Sequence, residues 1–143
     1  MNVKSTSIAT LVLLVAGCAI QPPTTKEFKI ESRSAAATTL TNPFCLHVKY
    51  NNNYYYFYSE NYAEGWVTDG RCEGDGPRRS VESIGLDWRY SGEGLSGKQC
   101  SNTESCSFSE RNYGIGKTIQ CSGSSARDGN QSAHATTDQL GCP

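Results

Sequence analysis

Aliphatic side chains are scarce in this sequence. From Pro43 to Pro143 only thirteen Leu, Ile, Val and Phe residues occur in 101 positions, below the roughly 20% at which chains border on disorder. Burial of aliphatic surface alone therefore does not hold a domain of this length. Long apolar runs are missing as well. The longest, Ile8 to Ala16, is interrupted only by Thr10 and ends before Pro22-Pro23, well short of the ~20 residues that cross a bilayer as a helix. Nor is there an excess of one charge, with 13 Lys and Arg against 14 Asp and Glu and no run of either sign. A protein that neutralises phosphates needs such a run or patch, so no nucleic-acid partner is expected. The serine-hydrolase elbow G-x-S-x-G, the zinc motif H-E-x-x-H and any C-x-x-C pair are all absent, which leaves no recognisable nucleophile or metal-ligand spacing. No catalytic residue, metal or cofactor is assigned from the sequence.

Aromatic residues and cysteine are what the chain does have. Eight Tyr and two Trp each carry a large apolar body with a polar end that needs a partner or water. The seven cysteines are Cys18, Cys45, Cys72, Cys100, Cys106, Cys121 and Cys142. An odd number in an exported chain points to one thiol with a separate fate.

The first residues supply that fate. Lys4 is followed by the short apolar run and then by small residues, the layout of an export signal. The run closes on Val15-Ala16-Gly17-Cys18, which resembles the lipobox of bacterial lipoproteins. The resemblance implies a signal peptide over residues 1–17, diacylglycerol on the Cys18 sulfur, cleavage before Cys18 and acylation of its new amino group. It also implies attachment to a membrane through that residue, since two or three acyl chains, at roughly 0.8 kcal/mol per buried methylene, make a stable anchor where one does not. Ala19 follows, where lipoproteins of Gram-negative bacteria that stay in the inner membrane commonly have Asp. The resemblance therefore implies the outer membrane.

With Cys18 assigned to lipid, Cys45, Cys72, Cys100, Cys106, Cys121 and Cys142 remain as an even set in a compartment where disulfides persist. Three bridges are expected, although spacing alone does not choose among the possible connectivities. Nearest-neighbour pairing would join Cys45 to Cys72, Cys100 to Cys106 and Cys121 to Cys142.

Residues 18–42 read as the lipidated N-terminus and a polar, proline-containing tether, with a coil end-to-end distance of about 25–30 Å. Within it Phe28 and Ile30 alternate with charges and could add an edge strand, which would shorten the tether. Residues 43–143 read as one small, mainly β domain: antiparallel, disulfide-stapled and with long loops. Phe44, Leu46, Val48 and Tyr50 alternate with Cys45, His47 and Lys49, a period of two that puts the apolar set on one face of a strand. Asn51-Asn52-Asn53 is expected to turn, with a second strand over Tyr54 to Tyr58 completing a hairpin. Further strands are expected over 65–68, 83–90 and 117–121, and a short helix is possible over Ser132 to Leu140. Gly92 to Gly97 matches G-x-G-x-x-G, but no apolar-faced helix follows it, so the match reads as a turn. Gly116-Lys117-Thr118 likewise lacks the first glycine of a phosphate-binding loop.

Tyr54, Tyr55, Tyr56, Tyr58 and Trp66 form the candidate binding surface. One face of an aromatic strand serves the interior, but a chain with so few aliphatic residues does not bury both faces, and exposed tyrosines offer rigid amphipathic contact area. His47 and His134 are the groups that titrate near neutrality, with Asp128 and Asp138 near His134 in sequence. Glu60 with Glu64, or Glu82 with Asp87, would suit acid and base roles if the fold converged them. Arg71, Arg78, Arg79 and Arg89 are interleaved with Glu73, Asp75, Glu82 and Asp87, the pattern of a mixed solvated face. The resulting expectation is an envelope lipoprotein whose non-enzymatic domain binds a protein or glycan partner. A hydrolase of envelope polymers and a structural subunit of an envelope complex are the alternatives.

Overall fold

The computed structural model of the protein describes residues 24–34, 42–54, 58–74, 76–90, 95–113 and 119–136. Among the described residues every regular element is a strand, and no helix occurs. The strands are β1 (Thr24–Glu31), β2 (Arg33–Ser34), β3 (Phe44–Tyr54), β4 (Tyr58–Asp69), β5 (Val81–Tyr90), β6 (Leu95–Thr103), β7 (Ser105–Tyr113), β8 (Ile119–Asp128) and β9 (Gln131–Thr136). They form a four-stranded sheet in the order β1-β3-β4-β7 and a five-stranded sheet in the order β2-β9-β8-β5-β6, with every pairing antiparallel.

The interior lies between the two sheets. Alternation along β3 turns Phe44, Leu46, Val48 and Tyr50 into it, where they meet Ala63 and Val67 of β4 and Ile84 and Leu86 of β5. Among the described residues the other strands of the second sheet add small side chains, Ala126, Ala133 and Ala135, with Cys100 packed against the core. The shortage of aliphatic residues is thus met by a thin core. Gly65 helps it close, because a Cβ there would stand 3.1 Å from Ile84 Cγ2 and 3.2 Å from Leu86 Cδ2.

Chain crossings tie the two edges of this sandwich. At one edge β1 belongs to the first sheet and β2 to the second, with Ser32 as the corner between them. Ser32 donates its amide to the Phe44 carbonyl and accepts the Phe44 amide on its hydroxyl, both at 2.9 Å. The same hydroxyl donates to Gln131 Oε1 at 3.0 Å. At the other edge β6 of the second sheet passes through Glu104 into β7 of the first, and Val67 N donates to the Glu104 carbonyl. Strands that switch sheets at corners leave less open edge for other chains to pair with.

Two bridges are present among the described residues, Cys45–Cys72 and Cys100–Cys106. The first fastens the loop after β4 to β3, and the second joins β6 to β7 across the corner. Both are nearest-neighbour pairs. Cys142 lies outside the described residues, as do Cys18 and the whole leader.

Several sequence expectations are corrected. Part of the expected tether is structure: β1 pairs along β3 from Thr24↔Asn52 to Glu31↔Cys45, at the edge of the first sheet. Asn51 to Asn53 do not turn. They extend β3, because β4 pairs with all three, β1 flanks Asn51 and Asn52 on the other side, and Asn51 Oδ1 accepts the Thr25 hydroxyl at 2.7 Å. The hairpin reverses later, with Tyr54 opposite Ser59. The possible helix over Ser132 to Leu140 is replaced as far as Thr136 by β9, where alternation buries Ala133 and Ala135 and exposes Ser132 and His134. Its remainder is outside the described residues, as are Gly92 to Gly94 and Gly116-Lys117-Thr118. Lys98 to Asn102, after the glycine motif, lie in β6.

Candidate binding faces

Cross-strand register places four aromatic side chains on the outer face of the first sheet. Tyr58, Tyr62 and Trp66 occur at every fourth residue of β4 and so point the same way, and Tyr113 of β7 stands directly opposite Tyr58. The rows running across the sheet are Lys29–His47–Trp66–Ser105, Glu27–Lys49–Glu64–Ser107, Thr25–Asn51–Tyr62–Ser109, Asn53–Glu60–Arg111 and Tyr58–Tyr113. Tyr62 and Tyr113 are exposed, at 36% and 70% of their surface.

Polar neighbours hold these rings. His47 is buried and stacks on Trp66 with centroids 5.1 Å apart and planes 11° from parallel. The second ring nitrogen, Nε2, lies 2.7 Å from Thr68 Oγ1. The Arg78 guanidinium lies 5.1 Å over Trp66. Arg78 is brought there by its backbone bridge to Thr68, on the side of β4 away from β3. At the far end of the sheet Arg111 lies over Tyr58 and pairs with Glu60, while Tyr58 and Tyr113 meet at 6.1 Å. The Tyr113 hydroxyl and Glu60 both hold the Arg111 guanidinium above its usual range. Between the two clusters the Tyr62 hydroxyl donates to Glu64 Oε2 at 3.3 Å, and partial burial together with the Glu64 charge raises its pKa. Two hollows flank Tyr62 and Trp66, of about 330 Å³ beside Tyr62, Glu60 and Arg111, and about 270 Å³ beside Trp66, His47 and Lys29.

Of the five residues of the expected surface, Tyr58 and Trp66 share this face. Tyr54 lies at the end of β3, and its side chain, with Tyr55 and Tyr56, falls outside the described residues. Tyr62 and Tyr113 were missed by the sequence reading. The signal for Tyr62 was its even spacing with Tyr58 and Trp66. Nothing local marked Tyr113, whose place depends on how β7 pairs.

The acid and base pairs suggested by sequence do not converge. Glu60 is committed to Arg111, Glu64 to Tyr62, and Glu82 to Arg127, whose Nε and Nη2 each donate at 3.3 Å. Arg78 and Arg79 do not share a face either, and the side chain of Arg89 falls outside the described residues. Arg79 is mostly buried: Nη1 donates to the carbonyls of Asn42 (3.0 Å) and Pro43 (3.2 Å) and to Asp69 Oδ1 (3.1 Å), and Nη2 donates to Asp128 Oδ2 (2.8 Å). Asp128 thus serves Arg79, while His134 faces a different carboxylate, Asp87.

Asp87 lies on the outer face of the second sheet. Burial raises its pKa above the ordinary carboxyl value, and the nearby His134 works in the opposite direction. A carboxyl group that holds its proton more tightly when folded supports stability below the unfolded value of about 3.9 and loses that support as pH rises through the folded value. The Asp87→Asn variant is therefore expected to gain stability relative to the parent between about pH 4 and about pH 7. Urea unfolding at the two pH values checks this, and an unchanged difference would refute it.

No protein-family model, curated protein or solved structure matches this chain.

Proposed function

We propose that this chain is a lipoprotein of the bacterial envelope, anchored through Cys18 to the outer membrane of a Gram-negative cell, and that it works by binding a partner protein on the outer face of its first sheet. The anchor rests on Val15-Ala16-Gly17-Cys18 after a short apolar run. One observation carries the binding reading: Tyr58, Tyr62, Trp66 and Tyr113 share one face, with His47, Arg78 and Arg111 holding the rings in place. Aromatic residues and arginine that are already ordered lose little conformational freedom on binding, which is why they dominate protein interfaces. A glycan bound by stacking would need an open ring face, and Trp66 already carries both the His47 ring and the Arg78 guanidinium. The face therefore offers a partner ring edges, hydroxyls and charges, a set suited to a polar protein interface.

β1 constrains where that partner sits. Because the first strand begins at Thr24, an anchor on Cys18 is joined to the domain by a link of about 20 Å at full stretch. The domain then stays against the lipid surface, and its partner is a membrane-resident or membrane-adjacent protein.

The test uses the full-length protein in intact cells, with a photo-crosslinking side chain placed at Tyr62, at Tyr113 or, as a control, at Ser132 on the other sheet. A discrete adduct from the first two positions alone is expected. Its yield should fall about tenfold in a Trp66→Ala background, the loss of roughly 1.4 kcal/mol typical of one interface anchor. Equal adducts from Ser132 would refute the assigned face. A Cys18→Ala protein that still fractionates with membranes would refute the anchor.

A further inference from the structure

The outer face of the second sheet carries a separate furrow. Three rows cross it: Ser101–Ser83–Arg127–Ser132–Arg33, Gln99–Gly85–Ser125–His134 and Gly97–Asp87–Gly123–Thr136. Glycine and serine fill its middle, so the sheet surface is low there, and the hollows measure about 540 Å³ and about 470 Å³ with Gln99, Ser125 and His134 common to both.

The glycines also decide how two polar side chains lie. A Cβ on Gly123 would stand 2.9 Å from Asp87 Oδ1, and one on Gly85 would stand 3.0 Å from Ser125 Oγ. Asp87 therefore leans from β5 across β8 toward β9, and Ser125 leans across β5, each using the space that a neighbouring side chain would fill. The floor of the furrow is thus lined with a carboxylate oxygen and a hydroxyl, and Gln99 and His134 stand on either side.

We propose that this furrow binds a neutral oligosaccharide segment. Three features select that class. The lining is made of groups that both accept and donate hydrogen bonds, namely hydroxyl, amide and imidazole, together with a carboxylate able to accept from two adjacent sugar hydroxyls. Its lining carries two acidic and two basic side chains, Glu82 and Asp87 against Arg127 and Lys98, with Glu82 and Arg127 paired, which disfavours an anion such as phosphate. Among the described lining residues the large apolar side chain is Leu86, which is turned into the core and only 2% exposed, so an acyl chain or apolar peptide has little to bury against. Among the described residues no cluster of three metal-ligating side chains is found. No Phe, Tyr or Trp is among the described lining residues, so the affinity of one segment is expected near the millimolar range, and repetition along a polymer supplies avidity. This site is independent of the protein-binding face on the first sheet.

The test is a titration of the full-length, isotope-labelled protein with cellotriose, maltotriose and chitotriose, followed by amide NMR shifts. Saturable shifts centred on Gly85, Gly97, Gly123, Ser125 and His134 are expected with at least one trisaccharide. Affinity should drop about tenfold in His134→Ala, which alters an exposed side chain and so spares the fold, and in Asp87→Asn, while Tyr62→Ser should leave it unchanged. Absence of saturable furrow shifts with all three sugars would overturn the proposal. So would equal affinity in both furrow variants, or tighter binding of the cationic trimer of glucosamine than of any neutral trisaccharide.

Discussion

Phe44→Ala is expected to cost about 3–5 kcal/mol, the range for truncating a fully enclosed aromatic side chain. Phe44 has no exposed surface and is the largest fully buried side chain among the described residues. Arg79, lying 5.7 Å over its ring, covers it while bonding to the carbonyls of Asn42 and Pro43. Little nearby can collapse into the space, because the alanines of the second sheet are too small to fill it and its larger side chains, Val81, Ile84 and Leu86, are already packed in the core. The variant should fall to the high end of the range and lose a large part of a net stability that is typically about 5–15 kcal/mol. Equilibrium urea unfolding measures it; a loss below about 1 kcal/mol would mean that Phe44 is not a central element of the core.

Removing the Cys45–Cys72 bridge, as Cys45→Ala with Cys72→Ala, is expected to cost about 3.5 kcal/mol in the chain-entropy account. The bridge closes a sequence separation of 27, against 6 for Cys100–Cys106, whose removal should cost about 2 kcal/mol on the same basis. Together these approach the whole stability of a small domain, so reduction should unfold the protein with loss of its near-UV dichroism. Denaturation midpoints of the two double variants give the order. A larger loss from the shorter loop would show that the second bridge acts through the native corner between the sheets.

The sequence disclosed the fold where side chains alternate. Phe44, Leu46, Val48 and Tyr50 announce β3 and its buried face, and Ile84 and Leu86 do the same for β5. The strands β6 and β7 were illegible because serine, asparagine and charged residues dominate Leu95–Tyr113; pairing with β5 and β4 makes them strands. Asn51 to Asn53 misled for the opposite reason, since a strong local preference for turning was overridden by the flanking strands. At the candidate faces, Trp66 and Tyr58 could be named from composition. Their neighbours His47, Arg78 and Arg111 could not be placed, because each reaches its ring through tertiary pairing. His134 was visible only as a titratable residue, and its relation to Asp87 depends on β8 lying between their strands.

The position of β1 has a mechanical consequence. If a lipid anchor holds the N-terminus while a partner pulls the domain away, the load enters at Thr24 and runs along β1. All eight pairs from Thr24↔Asn52 to Glu31↔Cys45 then resist together in shear, instead of parting one after another as in unzipping. At the last of them the load meets Cys45, covalently joined to Cys72, whose amide donates to Glu31 Oε1 at 3.2 Å. Under such an anchor β1 would end opposite a crosslinked residue and could bear tension between the anchor and whatever the domain holds.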